Sequence, residues 1–154
     1  MIKNLLLDWA GTVMDEAKLA HMTSVLIFKN NGLEPPNLED FKKEFFLPYM
    51  DYYRKHIPNI TKEECNNAYL EIMENNKSKP FSGVVQILER LQKKGIQMAV
   101  LSSNVKIDIE EKMKMYNLSR FFKIVRGGVL DKETVIEQLL IELDFKPEET
   151  AFIA

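Results

Sequence analysis

The apolar residues of the chain fall into two patterns, short continuous runs and stripes at helical spacing. The continuous runs predict buried strands, and they lie at Ile2–Leu7, 96–103 (IQMAVLSS), 121–125 (FFKIV) and 150–154 (TAFIA). Helical stripes precede the second, third and fourth runs, at 84–91, 107–116 and 131–143. Because strands that alternate with helices form right-handed β-α-β units, the predicted fold class is α/β with a parallel-sheet, Rossmann-like core.

Between the first strand and residue 80, the sequence shows helical signals only. Gly32 is placed to end a first helix, Asn37 to cap a second, and Thr61 with Glu64 forms a capping-box pattern before another. This segment is far longer than a crossover between strands requires. We therefore predict a helical cap inserted after the first strand. The predicted domains are 1–14 with 80–154 for the core and 15–79 for the cap.

Composition narrows the classes of partner. The 154 residues carry a net charge of −2, so no excess of positive charge favours nucleic acid or an anionic membrane. No apolar run approaches the roughly 20 residues of a membrane-spanning helix. The single cysteine, Cys65, makes no intrachain disulfide and fits a reducing compartment. We expect a cytoplasmic protein without nucleic-acid or membrane partners, and the sequence leaves a homo-oligomer open.

Polar residues follow three of the predicted strands. Asp8 ends the first strand, Ser102 and Ser103 end the second, and Lys132 begins the helix after the third. Ligands of open parallel sheets bind beyond the carboxyl ends of the strands. A carboxylate, a hydroxyl and an ammonium group at one point suit a phosphate, which the carboxylate can attack and the other groups can bind. Mg²⁺ would be needed to bring the two anions together, and Gly11 lets the backbone turn sharply and approach the ligand.

The segment LLLDWAGTVMD resembles the first motif of the haloacid dehalogenase-like hydrolases, an apolar strand followed by D-x-D-G-T. MAVLSSN resembles their second motif and VLDKETVIEQLL their third, and one class of these enzymes carries its cap where the helical insert lies. The resemblance implies that Asp8 is the nucleophile and a Mg²⁺ ligand, and that the Ala10 carbonyl is a second ligand. Ser102 and Lys132 would bind the phosphate, with Gly11 and Ser103 as further substrate-binding candidates. The predicted function is Mg²⁺-dependent, phosphatase-like hydrolysis of a small phosphorylated metabolite through a phosphoryl intermediate on Asp8.

Two departures from the family pattern support an alternative. The family's phosphatases place an aspartate at position 10 as general acid-base, a contribution of roughly 10² to 10⁴ in rate, and this chain has Ala10. Family members also follow a strand like TAFIA with G-D-x-x-x-D, which completes the Mg²⁺ site, whereas this sequence ends at Ala154. The alternative is a catalytically impaired or truncated relative that binds a phosphorylated ligand or a protein partner.

A further alternative rests on the spelling DWAGT, which resembles the phosphonoacetaldehyde hydrolases. In those enzymes a cap lysine forms a Schiff base, and the motif aspartate attacks the phosphonate. The lysine candidates here are Lys42, Lys43 and Lys55. A Schiff-base lysine needs a lowered pKa, commonly through burial or a cationic neighbour.

Other residues near the motifs have structural interpretations. Trp9 is expected to pack against the site or to lid it, and Ser103 or Asn104 is an alternative N-cap for the next helix. Lys112 and Lys114 are expected on a solvated helix face.

Within the predicted cap, His21 and His56 lack metal-ligand spacing and are expected to be packing or surface residues. Cys65 is expected to be inert. An aromatic cluster is interpreted as cap core in preference to a substrate pocket; its members are Phe45, Phe46, Tyr49, Tyr52 and Tyr53.

Overall fold

The structure is a computed structural model that describes residues 1–154, and it contains a four-stranded parallel sheet. The strands of the protein are β1 (Asn4–Leu7), β2 (Met14–Asp15), β3 (Lys79–Pro80), β4 (Gln97–Leu101), β5 (Phe122–Arg126) and β6 (Thr150–Ile153). The parallel sheet has the order β5-β4-β1-β6. The α/β fold class and the four strands predicted from apolar runs are confirmed.

Seven α-helices accompany the strands. They are α1 (Ala17–Asn30), α2 (Leu38–Glu44), α3 (Tyr49–His56), α4 (Lys62–Asn75), α5 (Val84–Lys93), α6 (Lys106–Met115) and α7 (Lys132–Glu142). The predicted helices of the core are α5, α6 and α7, which are confirmed to within a few residues at their ends. Helix α3 contains Tyr49, Tyr52 and Tyr53 of the aromatic cluster. The sequence predicted no individual helix at this position within the helical insert. None of the seven helices has the length and apolar character needed to cross a membrane.

Alternate residues of β1 are buried on opposite faces of the sheet, as the two-residue period of a strand requires. Leu5 and Leu7 belong to one core cluster, which includes residues of α5 and α6. Leu6 belongs to a second cluster, against which Ile136 and Leu140 of α7 pack. Helix α7 therefore covers the face of the sheet to which Leu6 points. The first residues of α7 approach the end of β1 from this face.

Residues Met1–Asp15 and Lys79–Ala154 form one compact unit, and residues Glu16–Ser78 form the other. The second unit contains α1 to α4, in agreement with the helical signals of that segment. At the end of the first unit's N-terminal part, β2 pairs with β3 in a short antiparallel ribbon. The sequence did not predict this ribbon, because two-residue strands show no apolar period.

The helix caps predicted in the second unit are confirmed. Asn37 accepts a hydrogen bond from the Asp40 N–H at 2.9 Å and begins α2. Thr61 and Glu64 form the reciprocal capping box of α4. Gly32 follows α1 in the left-handed conformation, with φ of +70°.

Two expectations about α6 are wrong. Lys112 is not solvated: its side chain is 8% exposed, and its Nζ donates to Asp108 Oδ2 at 2.7 Å. The two side chains stand four positions apart on the helix face that also carries the buried Ile109, so neither faces water. The N-cap of α6 is Val105, without a side-chain hydrogen bond, so neither Ser103 nor Asn104 caps the helix. Lys114 is exposed, as expected.

The loops that follow β4 and β5 are bound to each other through their backbones. The Gly128 N–H donates to the Asn104 carbonyl at 2.6 Å, and the Val129 N–H donates to the Ser102 carbonyl at 3.0 Å. These bonds extend the pairing of β4 with β5 beyond the ends of the strands. They fix the loop that leads into α7 against the loop that carries the serines.

Gly127 lies close to the backbone of Asn104 and of Lys106, the first residue of α6. A Cβ atom at this position would lie 2.6 Å from the Cα atom of Lys106 and 2.9 Å from the carbonyl oxygen of Asn104. Both of these are backbone atoms, which cannot rotate away as a flexible side chain can. Glycine is therefore required at 127 by space.

We expect Gly127→Ala to lower the free energy of unfolding by about 1–3 kcal/mol, because the added methyl group overpacks the contact. Urea denaturation measures this loss. Amide exchange at Gly128 and Val129 should accelerate as well, because their hydrogen bonds cross between the loops. Gly95→Ala is the comparison: nothing lies within 4 Å of its added Cβ, and its left-handed φ of +78° strains the backbone at a different place, so the protection of the two amides should stay unchanged. Unchanged protection of the two amides in Gly127→Ala would contradict the prediction.

We expect Thr61→Ala to destabilise the chain by about 1 kcal/mol, because the first turn of α4 loses its N-cap. Thr61→Ser keeps the hydroxyl and should stay close to the unmodified protein in chemical denaturation. Equal stability of the two variants would show that the hydroxyl contributes nothing.

The effect of Thr61 should also depend on pH. Hydrogen bonds from the Thr61 hydroxyl and backbone N–H lower the pKa of Glu64 below its ordinary value of 4.5. The stabilisation is complete above that value and is lost as the pH falls through the lower pKa of the folded state. The stability difference between Thr61→Ala and the unmodified chain should therefore shrink in acid.

Candidate functional site

An ion pair joins the end of β1 to the beginning of α7. Lys132 Nζ donates to Asp8 Oδ2 at 2.6 Å, although 124 positions separate the residues in the sequence. The other carboxylate oxygen, Oδ1, accepts a hydrogen bond from the Trp9 backbone N–H at 2.7 Å. The side chains of Lys132 and Asp8 are 17% and 11% exposed. The structure thus brings together two of the site residues that the sequence placed at one edge of the sheet.

A side-chain N-cap fixes the first turn of α7, to which Lys132 belongs. Asp131 is the N-cap, and its carboxylate accepts hydrogen bonds from the Thr134 hydroxyl at 2.7 Å and the Thr134 N–H at 3.4 Å. These bonds lower the pKa of Asp131. Asp131 was predicted from the sequence as the N-cap of this helix, and Lys132 is the first residue of the helix.

Lys132 has a second neighbour that the sequence analysis missed. Its Nζ lies 5.4 Å from the centre of the Phe152 ring on β6. Phe152 pairs with Leu6 in the parallel register, so the two side chains share the face of the sheet that α7 covers. Only this register reveals the contact, because the sequence shows Phe152 as one apolar residue of a strand.

The turn after Asp8 is built from backbone hydrogen bonds. The Trp9 carbonyl accepts from the N–H groups of Val13 and Met14 at 2.9 and 3.0 Å, and the Gly11 N–H donates to the Met14 carbonyl at 2.8 Å. Gly11 has φ of +79°, a conformation that favours glycine. The Ala10 carbonyl accepts none of these bonds.

The serines lie at the same edge of the sheet, one strand away. Leu7 pairs with Val100, which places Ser102 just beyond the end of β4, beside the end of β1. Ser102 is fully buried, and its Oγ accepts a hydrogen bond from the Asn104 N–H at 3.2 Å. Its hydroxyl hydrogen is left to donate elsewhere. Neither Ser102 nor the half-buried Ser103 is hydrogen-bonded to the pair formed by Asp8 and Lys132.

The residues that could hold Mg²⁺ at this edge of the sheet are Asp8, through its carboxylate, and Ala10, through its carbonyl. The Asp8 carboxylate has lone pairs beyond those in its two hydrogen bonds, and the Ala10 carbonyl is not used by the turn. Magnesium ions that work on phosphates are commonly held by one or two carboxylates, with water and the substrate completing the shell. No group of three or more His, Cys, Asp or Glu side chains is arranged to hold a metal. The donor set is therefore one carboxylate and one carbonyl.

Two other expectations about the motifs are settled by burial. Trp9 is fully buried in the core cluster of Leu5 and Leu7, so it packs in the interior and is not a lid. The three candidate Schiff-base lysines are all exposed; they are Lys42, Lys43 and Lys55. None of them is buried, as the Schiff-base role would require.

Two of the five members of the aromatic cluster are buried in the second unit. Tyr52 and Tyr53 are buried, and burial raises the pKa of both phenols, while Phe46 is exposed. The His56 ring contacts the Tyr52 ring edge-to-face, with 5.3 Å between the ring centres, which agrees with a packing role. Burial raises the pKa of the Cys65 thiol to about 11, so it stays protonated and unreactive near neutral pH.

Comparison with known proteins places these observations in a family. The sequence profile of the haloacid dehalogenase-like hydrolases matches residues 5–154. A phosphoglycolate phosphatase of Aquifex aeolicus (strain VF5) is 24% identical over 132 residues, which are 80% of this chain and 60% of that protein. The chain thus spans 60% of the length of that curated relative.

Solved structures share the fold. A predicted phosphatase from Clostridium acetobutylicum aligns with a TM-score of 0.80 at 19% identity, covering 99% of this chain and 75% of that chain. A mutant of CbbY from Rhodobacter sphaeroides, in complex with xylulose-(1,5)bisphosphate, aligns with a TM-score of 0.78 at 16% identity, covering 99% and 77% of the two chains. The family profile extends over all six strands and all seven helices from residue 5 onward, and the chain belongs to the haloacid dehalogenase-like hydrolase family.

Proposed function

We propose that the chain is a phosphatase that hydrolyses a small phosphorylated metabolite through a phosphoryl intermediate on Asp8. The observation that carries the proposal is the 2.6 Å contact between Lys132 Nζ and Asp8 Oδ2. It sets a nucleophile and a phosphate-binding cation side by side, at the edge where ligands of parallel sheets bind.

Asp8 is oriented for attack by its two hydrogen bonds. The Trp9 N–H holds Oδ1, and Lys132 holds Oδ2, so the carboxylate has little freedom to rotate. A carboxylate oxygen forms a bond to phosphorus as the bond from phosphorus to the leaving oxygen breaks, and the leaving alkoxide takes a proton from solvent, since the Ala10 side chain has none to give. Water then attacks the phosphorus of the aspartyl phosphate, which releases inorganic phosphate and restores the Asp8 carboxylate.

The remaining site residues bind the phosphoryl oxygens. Lys132 offsets their negative charge, and the hydroxyl groups of Ser102 and Ser103 donate hydrogen bonds. Gly11 allows the backbone to approach the ligand. Asp8 and the Ala10 carbonyl would hold Mg²⁺. The bound ion would reduce the repulsion between the carboxylate and the phosphate.

The relatives support a small phosphorylated substrate. One of them is a phosphoglycolate phosphatase, and another binds a sugar bisphosphate. We propose that residues Glu16–Ser78 act as the cap that selects among such substrates. A cytoplasmic location remains a prediction.

Ala10 favours a second candidate function. A methyl group at this position supplies no proton to a leaving oxygen and activates no water. The chain is then a relative that binds a phosphorylated ligand at Asp8 and Lys132 and turns it over slowly or not at all. Phosphonoacetaldehyde hydrolysis is less favoured, because the candidate lysines Lys42, Lys43 and Lys55 are exposed.

We expect Asp8→Asn to reduce kcat for phosphate release by about 10³-fold or more, because the amide is not a nucleophile. The measurement uses the 154-residue chain with Mg²⁺, and phosphoglycolate and a sugar bisphosphate as substrates. Asp15→Asn is the matched control, since Asp15 is an exposed aspartate of the neighbouring β2. Equal rates for Asp8→Asn and the unmodified chain would refute the proposal. Phosphate binding without turnover by the unmodified chain would favour the second candidate.

We expect Ala10→Asp to raise kcat by about 10²-fold, because it adds a general acid-base group beside the nucleophile. Ala10→Asn is the control, since it has the same size and cannot transfer a proton in this way. Steady-state kinetics with both variants test the expectation. Identical kcat values for the two variants would show that proton transfer at position 10 does not limit this chain.

A further inference from the structure

We propose that Phe152 is a positioning residue that holds Lys132 over the phosphate site. The proposal rests on the proposed function of Asp8 and Lys132. The Nζ atom of Lys132 lies 5.4 Å from the centre of the Phe152 ring and 2.6 Å from Asp8 Oδ2. The ammonium group therefore has an aromatic ring and a carboxylate as its two partners.

Lys132 needs such partners because its position does not favour it. It is the first residue of α7, where the positive end of the helix dipole repels a cation. Its four-carbon stem also has much rotamer freedom to lose when it is fixed in one direction. Because only 17% of the side chain is exposed, contact with water is not enough to stabilise the ammonium group.

The two partners differ in what happens to them during the reaction. When the Asp8 carboxylate forms a bond to phosphorus, it ceases to be a free anion, and its pairing with Lys132 weakens. The Phe152 ring takes no part in the chemistry and attracts the cation throughout. The ring therefore keeps Lys132 beside the phosphoryl oxygens when the carboxylate no longer does.

The register of the parallel sheet sets the position of the Phe152 ring. Phe152 is in β6, which is hydrogen-bonded to β1, and it pairs with Leu6, two positions before Asp8. The cluster around Leu6 includes Ile136 of α7, so strand and helix meet on this face. This packing fixes α7 against the strands, and Lys132 Nζ contacts both Asp8 and the Phe152 ring.

The test compares the affinity for inorganic phosphate, measured by calorimetry, in matched variants of the 154-residue chain. Phe152→Leu removes the ring and keeps an apolar side chain, and it should weaken phosphate binding about fivefold, the equivalent of a cation–π contact of about 1 kcal/mol. Phe152→Tyr keeps the ring and should bind within about twofold of the unmodified chain. Phe121→Leu is the control, because the Phe121 ring contacts a different cation, the Arg120 guanidinium, at 4.4 Å. That variant should leave phosphate affinity unchanged.

A double-mutant cycle separates positioning from a general structural effect. In the Lys132→Met background, Phe152→Leu should have no further effect on phosphate affinity, because the ring acts through the lysine. An equal loss in both backgrounds would overturn the proposal. So would an affinity of Phe152→Leu within twofold of the unmodified chain.

A spectroscopic readout keeps this proposal distinct from the proposed function. The ring should shift the Lys132 side-chain methylene signals upfield in the NMR spectrum, and Phe152→Leu should abolish the shift while Phe121→Leu retains it. Absence of the shift in the unmodified chain would refute the positioning role, whatever the chain does with phosphate. If the shift is present and the chain binds no phosphate, the proposed function fails, and the role of Phe152 in phosphate binding fails with it.

Discussion

The contact between Lys132 and Asp8 is the interaction on which the rest of the site depends. The Asp8 side chain is 11% exposed, and a carboxylate so removed from water is stable only with a partner. Removing one member of a buried ion pair typically costs about 3–5 kcal/mol, because the other charge is left uncompensated. The partner here comes from a helix 124 positions away, so the pair forms only when β1 and α7 have been brought together by folding. The candidate site is in this sense a product of the complete sheet and of the helix packed on it.

The same packing that builds the core also gives the site its geometry. Leu6 lies on the face of the sheet covered by α7, while its neighbours Leu5 and Leu7 lie on the other. A shift of one residue in the register of β1 would exchange these faces. It would also move the side chain at the end of β1 away from Lys132. The alternation that buries the leucines therefore determines which charged groups meet at the edge of the sheet.

Much of the fold was predictable because its signals are local. Asn37 and Asp131 cap the helices that follow them, as their residue types predict, and Gly32 ends a helix in the conformation that glycine favours. The burial of Lys112 was not predictable, because a lysine among glutamates is typical of a solvated face and the contact with Asp108 depends on how α6 packs. The contact of Phe152 with Lys132 and the lack of space for a side chain at Gly127 were not predictable either. Both depend on distances between segments far apart in the sequence, which no local pattern encodes.

In the proposed mechanism, phosphate affinity and catalytic rate depend on different atoms of the candidate site. The turn after Asp8 is held by hydrogen bonds to the Trp9 carbonyl and by the conformation of Gly11, and the methyl group of Ala10 contributes to none of them. The ion pair is held by β1 and α7, and it too is independent of the side chain at position 10. The proposed anion site therefore does not use the side chain at position 10, whereas a general acid-base group at that position would transfer the proton to the leaving group. In the proposed mechanism, Ala10 leaves phosphate binding in place, and the rate is limited by the departure of the leaving oxygen without a proton from this position.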